Sequence, residues 1–394
     1  MSGERTPRGL AAARTAVVVS FTVNGFVFSN WAARVPDTRA RLGLDTSGLG
    51  LLLLCMSVGS LTALALSGRL VQRLGPAGTV GAGTVVNGTG LLLVAVGVGA
   101  WASVPVAGVA LFLAGAGIGL WDVAMNVEAA EVERRLGRTI MPRFHAAFSG
   151  GTVLGAGVGA LLEAVDVPLQ WHLGAVAVLA VAVSLGTVGG FLPDTVPAVE
   201  ESAPRGSSAW TEPRTLLIGL MVLALALTEG TANDWLAVAL EDGYDVPRYV
   251  AVLGFALFVV AMTVGRVLGP PLLDRHGRVP VLWATMVCAG VGVLLLVLGG
   301  TPWLVVPGIA LWGLGASLGF PVGMSAAADD PGRAAARVSV VSTIGYTAFL
   351  AGPPLLGFLG DEAGALRALL VVAVLLVPAA LVVPSAREDR EVRV

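Results

Sequence analysis

Two polar clusters interrupt long apolar stretches of this chain, about 205 residues apart. The first has Asn24-Gly25 followed by Asn30-Trp31, and the second has Glu229-Gly230 followed by Asn233-Asp234-Trp235. An amide offers two donors and an acceptor, which suits a hydroxylated solute, and Trp offers a flat apolar face to a ring. Amides and carboxylates are expensive inside a bilayer. Two such clusters half a chain apart therefore predict a duplicated bundle with a polar site between its halves, the layout of a secondary transporter.

Glu229 is the acidic residue that we place nearest the middle of a membrane span, in the apolar stretch 214–240. An ionised carboxylate there costs at least ~2.5–3.5 kcal/mol unless it is paired or hydrated. One interpretation is an acid that carries a coupling proton or binds substrate. The other is a structural hydrogen bond to a neighbouring helix. Trp31 and Trp235 have a similar alternative, because Trp also anchors spans at bilayer interfaces.

Asp122 and Asn126 are four residues apart and share one helix face, toward the predicted cytoplasmic end of the fourth span. Asp122 is either a second coupling acid or a structural partner for an arginine such as Arg143. His145 lies at the start of the fifth span, where a relay of protons is the less favoured interpretation. His172 and His276 are expected beside loops, with a smaller role still. No His, Cys and Glu cluster has metal-ligand spacing, so neither a metal nor another cofactor is expected.

The composition indicates an all-α membrane protein. Of 394 residues, 56% are hydrophobic and 13% charged, against about 25% charged in soluble domains. Apolar stretches long enough to cross a bilayer recur along the chain. We predict twelve transmembrane helices in two pseudo-symmetric six-helix bundles, at 15–35, 46–67, 79–99, 104–127, 144–165, 170–192, 214–240, 249–270, 279–299, 302–326, 336–359 and 364–384.

Arginine distribution predicts the orientation. All 24 basic residues are Arg, and an even number of spans puts both termini on one side. With cytoplasmic termini, only five arginines fall outside: Arg34, Arg39, Arg41, Arg248 and Arg367. Basic loops favour the cytoplasm, so cytoplasmic N- and C-termini in the plasma or inner membrane are expected.

The chain divides into residues 1–192, a Pro-, Ser- and Glu-rich cytoplasmic linker at 193–213, and residues 214–394. Segments of the two halves match in order. The matches are 67–76 with 269–278, 113–126 with 311–324, and 154–162 with 351–359. Offsets stay between about 197 and 205 residues, which predicts a duplicated six-helix unit.

These features resemble the major facilitator superfamily over all twelve spans. Its loop signature between the second and third helices is G-x-x-x-D-R-x-G-R. The first copy here has Gly68, Arg69, Arg73 and Gly75, with Gln72 and Pro76 as departures, and the second has Asp274, Arg275, Gly277 and Arg278, with Pro270 as a departure. Segments 121–126 (WDVAMN), 143–151 (RFHAAFSGG) and 229–235 (EGTANDW) resemble a MosC-like, rhizopine-linked bacterial branch.

The resemblance implies roles for several of these residues. The signature residues would hold the cytoplasmic gate closed in the outward-open state. The first and seventh helices face each other in this fold, so Arg34 and Asp234 could pair as an outer gate, unless each is solvated at its own helix end. Relatives carry an arginine in the fourth helix that is missing here. The branch suggests a sugar-like or inositol-like solute.

The functional prediction is a non-enzymatic, proton-coupled transporter of a small polar solute that works by alternating access. The alternative is a drug-type multidrug exporter, a proton antiporter. Gly151, Gly155 and Gly159 partly match an antiporter signature, although close helix packing is the simpler explanation of that spacing. A transport-dead sensor would need an output domain. We expect a monomer in the bilayer whose partners are solute and protons, without nucleic acid, and without its own ATP-binding Walker loop.

Topology can be tested with single cysteines in a chain whose Cys55 and Cys288 are replaced by serine. A membrane-impermeant thiol reagent added outside cells should label a cysteine at Asp242 and leave one at Ser207 unlabelled. Permeabilised cells should label both. The reverse pattern in intact cells would contradict the predicted orientation.

Overall fold

The computed structural model describes residues 7–137, 140–192, 209–330 and 333–388. These residues are helical and contain no strand. A bilayer core offers backbone groups no water to bond, so spanning segments satisfy those groups internally as helices. Eleven helical segments in the described residues are long and apolar enough to cross a membrane. The longest, with 54 residues, breaks at Gly75 and contains two predicted spans, so the twelve-span prediction holds.

Contacts divide the chain into two compact units, Met1–Val199 and Glu200–Val394. The first contains α1 (Pro7–Ala32), α2 (Val35–Leu42), α3 (Thr46–Gly99), α4 (Val104–Leu136), α5 (Met141–Ala164) and α6 (Leu169–Thr187). The second contains α7 (Pro213–Tyr244), α8 (Arg248–His276), α9 (Arg278–Leu298), α10 (Pro302–Ala316), α11 (Gly319–Ala327), α12 (Ala334–Ala363), α13 (Ala365–Ala368) and α14 (Leu370–Val382). Residues 193–208 of the predicted linker lie outside the described residues, and Ala209–Thr211 form a single 3-10 turn before α7.

Glycines in α4 and α10 make equivalent contacts in the two units. A side chain at Gly115 would strike the backbone of the second span, and one at Gly117 would strike the third. In α10, Gly313 faces the backbone of α8 and Gly315 that of α9, which contain the eighth and ninth spans. Small residues permit such close approach between helices in lipid. The matched contacts support the internal repeat that the sequence predicts.

The glycines between α1 and α5 also serve packing. A side chain at Gly151 would strike the backbone of Thr22, and one at Gly155 would strike the backbone of Phe26. Gly159 lies against Ala33 in the same way. This stripe therefore has a packing explanation in full, as expected from its four-residue spacing.

The signature glycines of the two loops share one unusual backbone conformation. Gly75 has φ 69° and ψ 170°, and Gly277 has φ 78° and ψ 170°. This region is open almost only to glycine because a Cβ atom would clash there. Each glycine ends one helix and begins the next. The motif thus has a backbone role, a sharp turn between consecutive spans, in addition to any role of its charged residues.

Replacing Gly277 by alanine should destabilise the protein by about 1–3 kcal/mol, because the side chain forces strain on that conformation. Gly75→Ala should behave alike. Thermal unfolding of purified protein in detergent measures the loss. Gly352→Ala is the matched control, since this glycine has no positive φ and open space around its would-be side chain. Equal melting temperatures for Gly277→Ala and Gly352→Ala would contradict the assigned role.

Candidate functional site

An ion pair lies within the membrane-spanning part of the C-terminal unit. Glu229 is near the middle of α7, and its Oε1 accepts a hydrogen bond of 3.0 Å from Nη2 of Arg266 in α8. Their side chains are 19% and 28% exposed, so the pair is not sealed. The sequence grouped Arg266 with the cytoplasmic arginines, and this was wrong. Arg266 lies ten residues before His276, the last residue of α8. From this position its long guanidinium side chain reaches the carboxylate of Glu229.

Arg266 makes a second contact, at the junction between α10 and α11. Its Nε donates a long hydrogen bond of 3.4 Å to the carbonyl of Ser317. In a continuous helix that carbonyl would accept from the N–H of residue 321, but Pro321 has none. Beside the ion pair, Trp312 Nε1 donates to the carbonyl of Thr228 at 3.2 Å. Polar contacts thus join α7, α8 and α10 around Glu229.

The remaining candidates of α7 differ in their surroundings. Asn233 and Asp234 are partly exposed, and within the described residues neither has a hydrogen bond or ion pair. Trp235 is buried at 1% exposure, and its indole N–H has no acceptor in the same part of the chain. Trp235 is therefore an interior residue of its unit, which argues against an interfacial anchor. Asn233 and Asp234 keep free polar atoms near Glu229.

The N-terminal unit contains a sealed polar network around Arg34, which is 2% exposed. Its guanidinium forms ion pairs with Asp37 at 3.4 Å and with Glu163. Its Nη2 donates to the carbonyl of Val167 at 2.8 Å, and its Nε donates to Nδ1 of His172 at 2.8 Å. The network joins α1 and α2 to the end of α5 and the start of α6.

The network fixes the tautomer of His172. Arg34 Nε can only donate, so His172 Nδ1 accepts and the ring proton resides on Nε2. That N–H donates to Oδ1 of Asn30 at 2.6 Å, while Asn30 Nδ2 donates to the carbonyl of Phe26 at 2.8 Å. His172 lies beside a loop, as expected, near the start of α6, but it is buried at the centre of the network, a structural role that the sequence did not predict.

The Arg34 network uses residues that the sequence assigned to substrate or gate. Asn30 has both ends of its amide engaged inside its own unit, and Trp31 is buried beside it. Arg34 also forms its ion pairs within that unit. The predicted outer gate between Arg34 and Asp234 remains a prediction. The clue in the sequence was that Glu163 and His172 flank a predicted outer loop on the same side of the membrane as the end of Arg34's helix.

Three further candidates, Asn24, Asp122 and Asn126, lie in the N-terminal unit. Asn24 is buried, and its Nδ2 lacks an acceptor within the described residues. Asn126 Nδ2 donates to Oδ1 of Asp122 at 3.3 Å and to its carbonyl at 2.9 Å. Asp122 therefore has an amide partner on its own helix. The suggested partner Arg143 was wrong, because no ion pair joins the two in the described chain.

The loop signatures contribute unequally to ion pairing. Gly68, Arg69 and Arg73 of the first copy are exposed, as are Asp274 and Arg275 of the second. Among the described residues, the signature's ion pairs are made by Arg278, which contacts Asp329 at 2.7 Å. Asp329 also contacts Arg214, at the start of α7, at 2.8 Å.

A second ionic cluster lies beside that one, around Glu212. This residue precedes α7 and pairs with Arg333 and with Arg337, the latter at 2.6 Å. Burial acts to raise the pKa of Glu212, but the hydrogen bonds from Thr215 and Arg337 and the nearby positive charges outweigh it, so its pKa is lowered. The cluster therefore stays charged at neutral pH.

In the part of the chain that the structure describes, no group of His, Cys, Asp and Glu could hold a metal ion.

Arg34→Leu should destabilise the protein by about 3–5 kcal/mol, because the carboxylates of Asp37 and Glu163 both lose a buried ion-pair contact, although Asp37 keeps its pair with Arg41. Adding Glu163→Gln to this variant should recover part of the loss. Arg134→Leu is the control, since the Arg134 side chain, which pairs with Glu131, is 72% exposed. Exposed pairs contribute about 0–1 kcal/mol. Unfolding in detergent measures all three. Similar losses of unfolding free energy for Arg34→Leu and Arg134→Leu would contradict the inference that the Arg34 network stabilises its unit.

Comparison with known proteins agrees with this architecture. The Major Facilitator Superfamily profile matches residues 218–393. An uncharacterized MFS-type transporter of Yersinia pestis is 33% identical over 91% of this chain and 92% of its own length. Membrane protein MosC of Rhizobium meliloti is 26% identical over 94% of this chain and 89% of its own. The crystal structure of the nucleoside transporter NupG matches with a TM-score of 0.73 and 13% identity, over 95% of this chain and 98% of that one. The chain is a multi-pass membrane protein that belongs to the major facilitator superfamily, with its relatives in the MosC-like bacterial branch.

Proposed function

We propose that this protein is a secondary active transporter that moves a small polar solute by alternating access and couples this movement to protons through Glu229. The observation that carries the proposal is the Glu229–Arg266 ion pair, 3.0 Å long and partly exposed inside the span. Charged residues within spans mark ion or substrate pathways far more often than they serve stability. Because this pair is accessible, water or solute can reach it.

The free polar atoms on α7 support a polar solute. Asn233 and Asp234 lie within about one helical turn of Glu229, and neither is engaged elsewhere in the described residues. An amide and a carboxylate side by side can accept and donate hydrogen bonds to hydroxyl groups. In the N-terminal unit, Asn24 offers an unengaged amide N–H in the same way. NupG, which shares the fold, is a nucleoside transporter, so a polar cargo suits this architecture.

The residues that are present support a proton gradient as the energy source. The ionised form of Glu229 is stabilised by Arg266, and a proton on Glu229 removes that attraction. A carboxylate that exchanges its proton with alternate sides of the membrane would link solute movement to a proton gradient. We place the protein in the cell membrane as a monomer with both termini in the cytoplasm. Its partners are lipid, solute and protons, and it acts without an enzymatic step or a nucleic acid.

Glu229→Gln should abolish proton coupling while preserving solute exchange. Glutamine keeps most of the side chain's hydrogen-bonding shape but cannot release a proton. Purified protein is reconstituted in vesicles containing a pH-sensitive dye, and sugars, inositols and nucleosides are added in turn. A solute that moves protons with the parent protein should move none with the variant. The variant should still exchange labelled solute across the vesicle membrane.

Glu241→Gln is the matched control for this experiment. Glu241 and Arg248 form a second glutamate–arginine pair between α7 and α8, at 3.2 Å, near the ends of the helices. Removing that carboxylate should leave solute-driven proton movement unchanged. Parent-like proton movement in Glu229→Gln would show that Glu229 is not the coupling site and would favour its structural role.

A further inference from the structure

We infer that Arg266 is a positioning residue that transmits the charge state of Glu229 to the junction between α10 and α11. This inference rests on the proposed function, because it assumes that Glu229 changes its charge during transport. The link is a single guanidinium with one nitrogen on the carboxylate and another on the junction. In this arrangement, a change at α7 alters how the tenth span is held.

The first step is the geometry of the bridge. Arg266 Nη2 is 3.0 Å from Oε1 of Glu229, and Nε is 3.4 Å from the carbonyl oxygen of Ser317. A guanidinium is planar and rigid, so these two donors cannot move independently. When the carboxylate holds one side of the group, the other side stays aimed at Ser317.

The second step is that the junction depends on this donor. Pro321 denies the Ser317 carbonyl its helical partner, and a carbonyl left unpaired away from water keeps its full desolvation penalty. Helix α10 ends at Ala316 and α11 begins at Gly319. Arg266 is the side chain that supplies the missing hydrogen bond. Arg266 of α8 therefore bonds the Ser317 carbonyl from outside the span, beside the backbone bonds from the Ser317 N–H to Leu314 and from the Val322 N–H to Leu318 within it.

The third step is close packing around the junction. A side chain at Gly265, the neighbour of Arg266, would strike Ser317, and one at Gly319 would strike Leu225 of α7. Both helices that carry the ion pair thus also touch the junction. Packed contacts of this kind transmit a displacement instead of absorbing it.

The fourth step is that, among the described residues of this unit, Arg266 is the charged partner of Glu229. The elements packed against α7 are α8, α10, α11, α12, α13 and α14, together with the 3-10 turns Ala209–Thr211 and Val383–Ala386. Helices α10, α11 and α14 and both turns contain no charged residue. The other titratable residues of α8, α12 and α13 are Arg248, Tyr249, Asp274, Arg275, His276, Arg337, Tyr346, Asp361, Glu362 and Arg367, and on α7 itself Asp234 and Glu241 are nearest. None of these bonds to Glu229 in the described chain.

The consequence is a device with two states. With Glu229 ionised, Arg266 is fixed between the carboxylate and the Ser317 carbonyl, and the junction is held. With a proton on Glu229, the guanidinium loses its counter-charge and can turn away. The Ser317 carbonyl then loses its donor, and α11 is free to change its angle to α10.

Hydrogen–deuterium exchange of the full chain in lipid nanodiscs tests this device without any solute. The reporter is the set of backbone amides in residues 314–323. At one fixed pH, Glu229→Gln should raise their exchange about fivefold, the factor expected from the loss of one net hydrogen bond. Glu241→Gln, which removes the carboxylate of the pair at the ends of α7 and α8, should leave it unchanged. In the parent, exchange corrected for the intrinsic chemical rate should vary with pH, and in Glu229→Gln it should not.

Pro321→Ala is the decisive second variant. Alanine restores an N–H at position 321, so the Ser317 carbonyl regains a helical partner and no longer needs Arg266. Added to Glu229→Gln, it should cancel the increase in exchange. Parent-like exchange in Glu229→Gln, or an increase that Pro321→Ala does not suppress, would overturn the inference.

The two proposals fail in different ways. Loss of proton coupling in Glu229→Gln with unchanged exchange at residues 314–323 would retain Glu229 as the coupling site and reject Arg266 as its link. Raised exchange together with intact proton coupling would retain the link and reject the transport role of Glu229.

Discussion

A charge inside a bilayer must find a partner in the protein, and this constraint organises both units. Lipid offers neither water nor counter-ions, so an isolated carboxylate or guanidinium is costly. The N-terminal unit answers with a network in which Arg34 meets Asp37, Glu163, His172 and a backbone carbonyl. The C-terminal unit contains one pair, Glu229 and Arg266, in which Arg266 also bonds the Ser317 carbonyl that Pro321 deprives of its helical donor.

The two solutions differ in ways that suit different tasks. All three side-chain nitrogens of Arg34 donate hydrogen bonds and the side chain is almost fully buried, so removing its charge would weaken several contacts at once. Such a network fixes α1, α2, α5 and α6 to each other. Among the described residues, Glu229 has one charged partner, and its side chain is 19% exposed. A group that must change its charge repeatedly needs this lower cost, which is why the exposed pair is the better candidate for coupling.

The sequence predicted what depends on length and repetition, and missed what depends on which helices are neighbours. Twelve spans follow from apolar runs, and the turns at Gly75 and Gly277 lie where the loop signature predicts them. Arg266 was wrongly grouped with the cytoplasmic arginines. Its position near the end of a predicted span does not show that its long side chain points back toward the middle of the span. The structural role of His172 was missed because the contact with Arg34 joins residues 138 positions apart. Both cases concern side chains whose partners lie on another helix, and no pattern along one helix encodes them.

The internal repeat supplies an independent argument that the ion pair and the junction form one unit. The same alignment that matches the glycines of α4 and α10 identifies the first-copy counterparts of Glu229, Arg266 and Pro321 as Asn24, Leu64 and Val123. All three are neutral, and Val123 keeps its N–H. Helix α4 accordingly runs unbroken from Val104 to Leu136, whereas the tenth span is divided into α10 and α11. The carboxylate, the arginine and the helix break occur together in one copy and are missing together from the other. A break that merely relieved packing would need neither charge. Because a carbonyl freed by Pro321 needs a donor, and an arginine in a span needs a counter-charge, each member makes the next one tolerable, and the three are best understood as a single device.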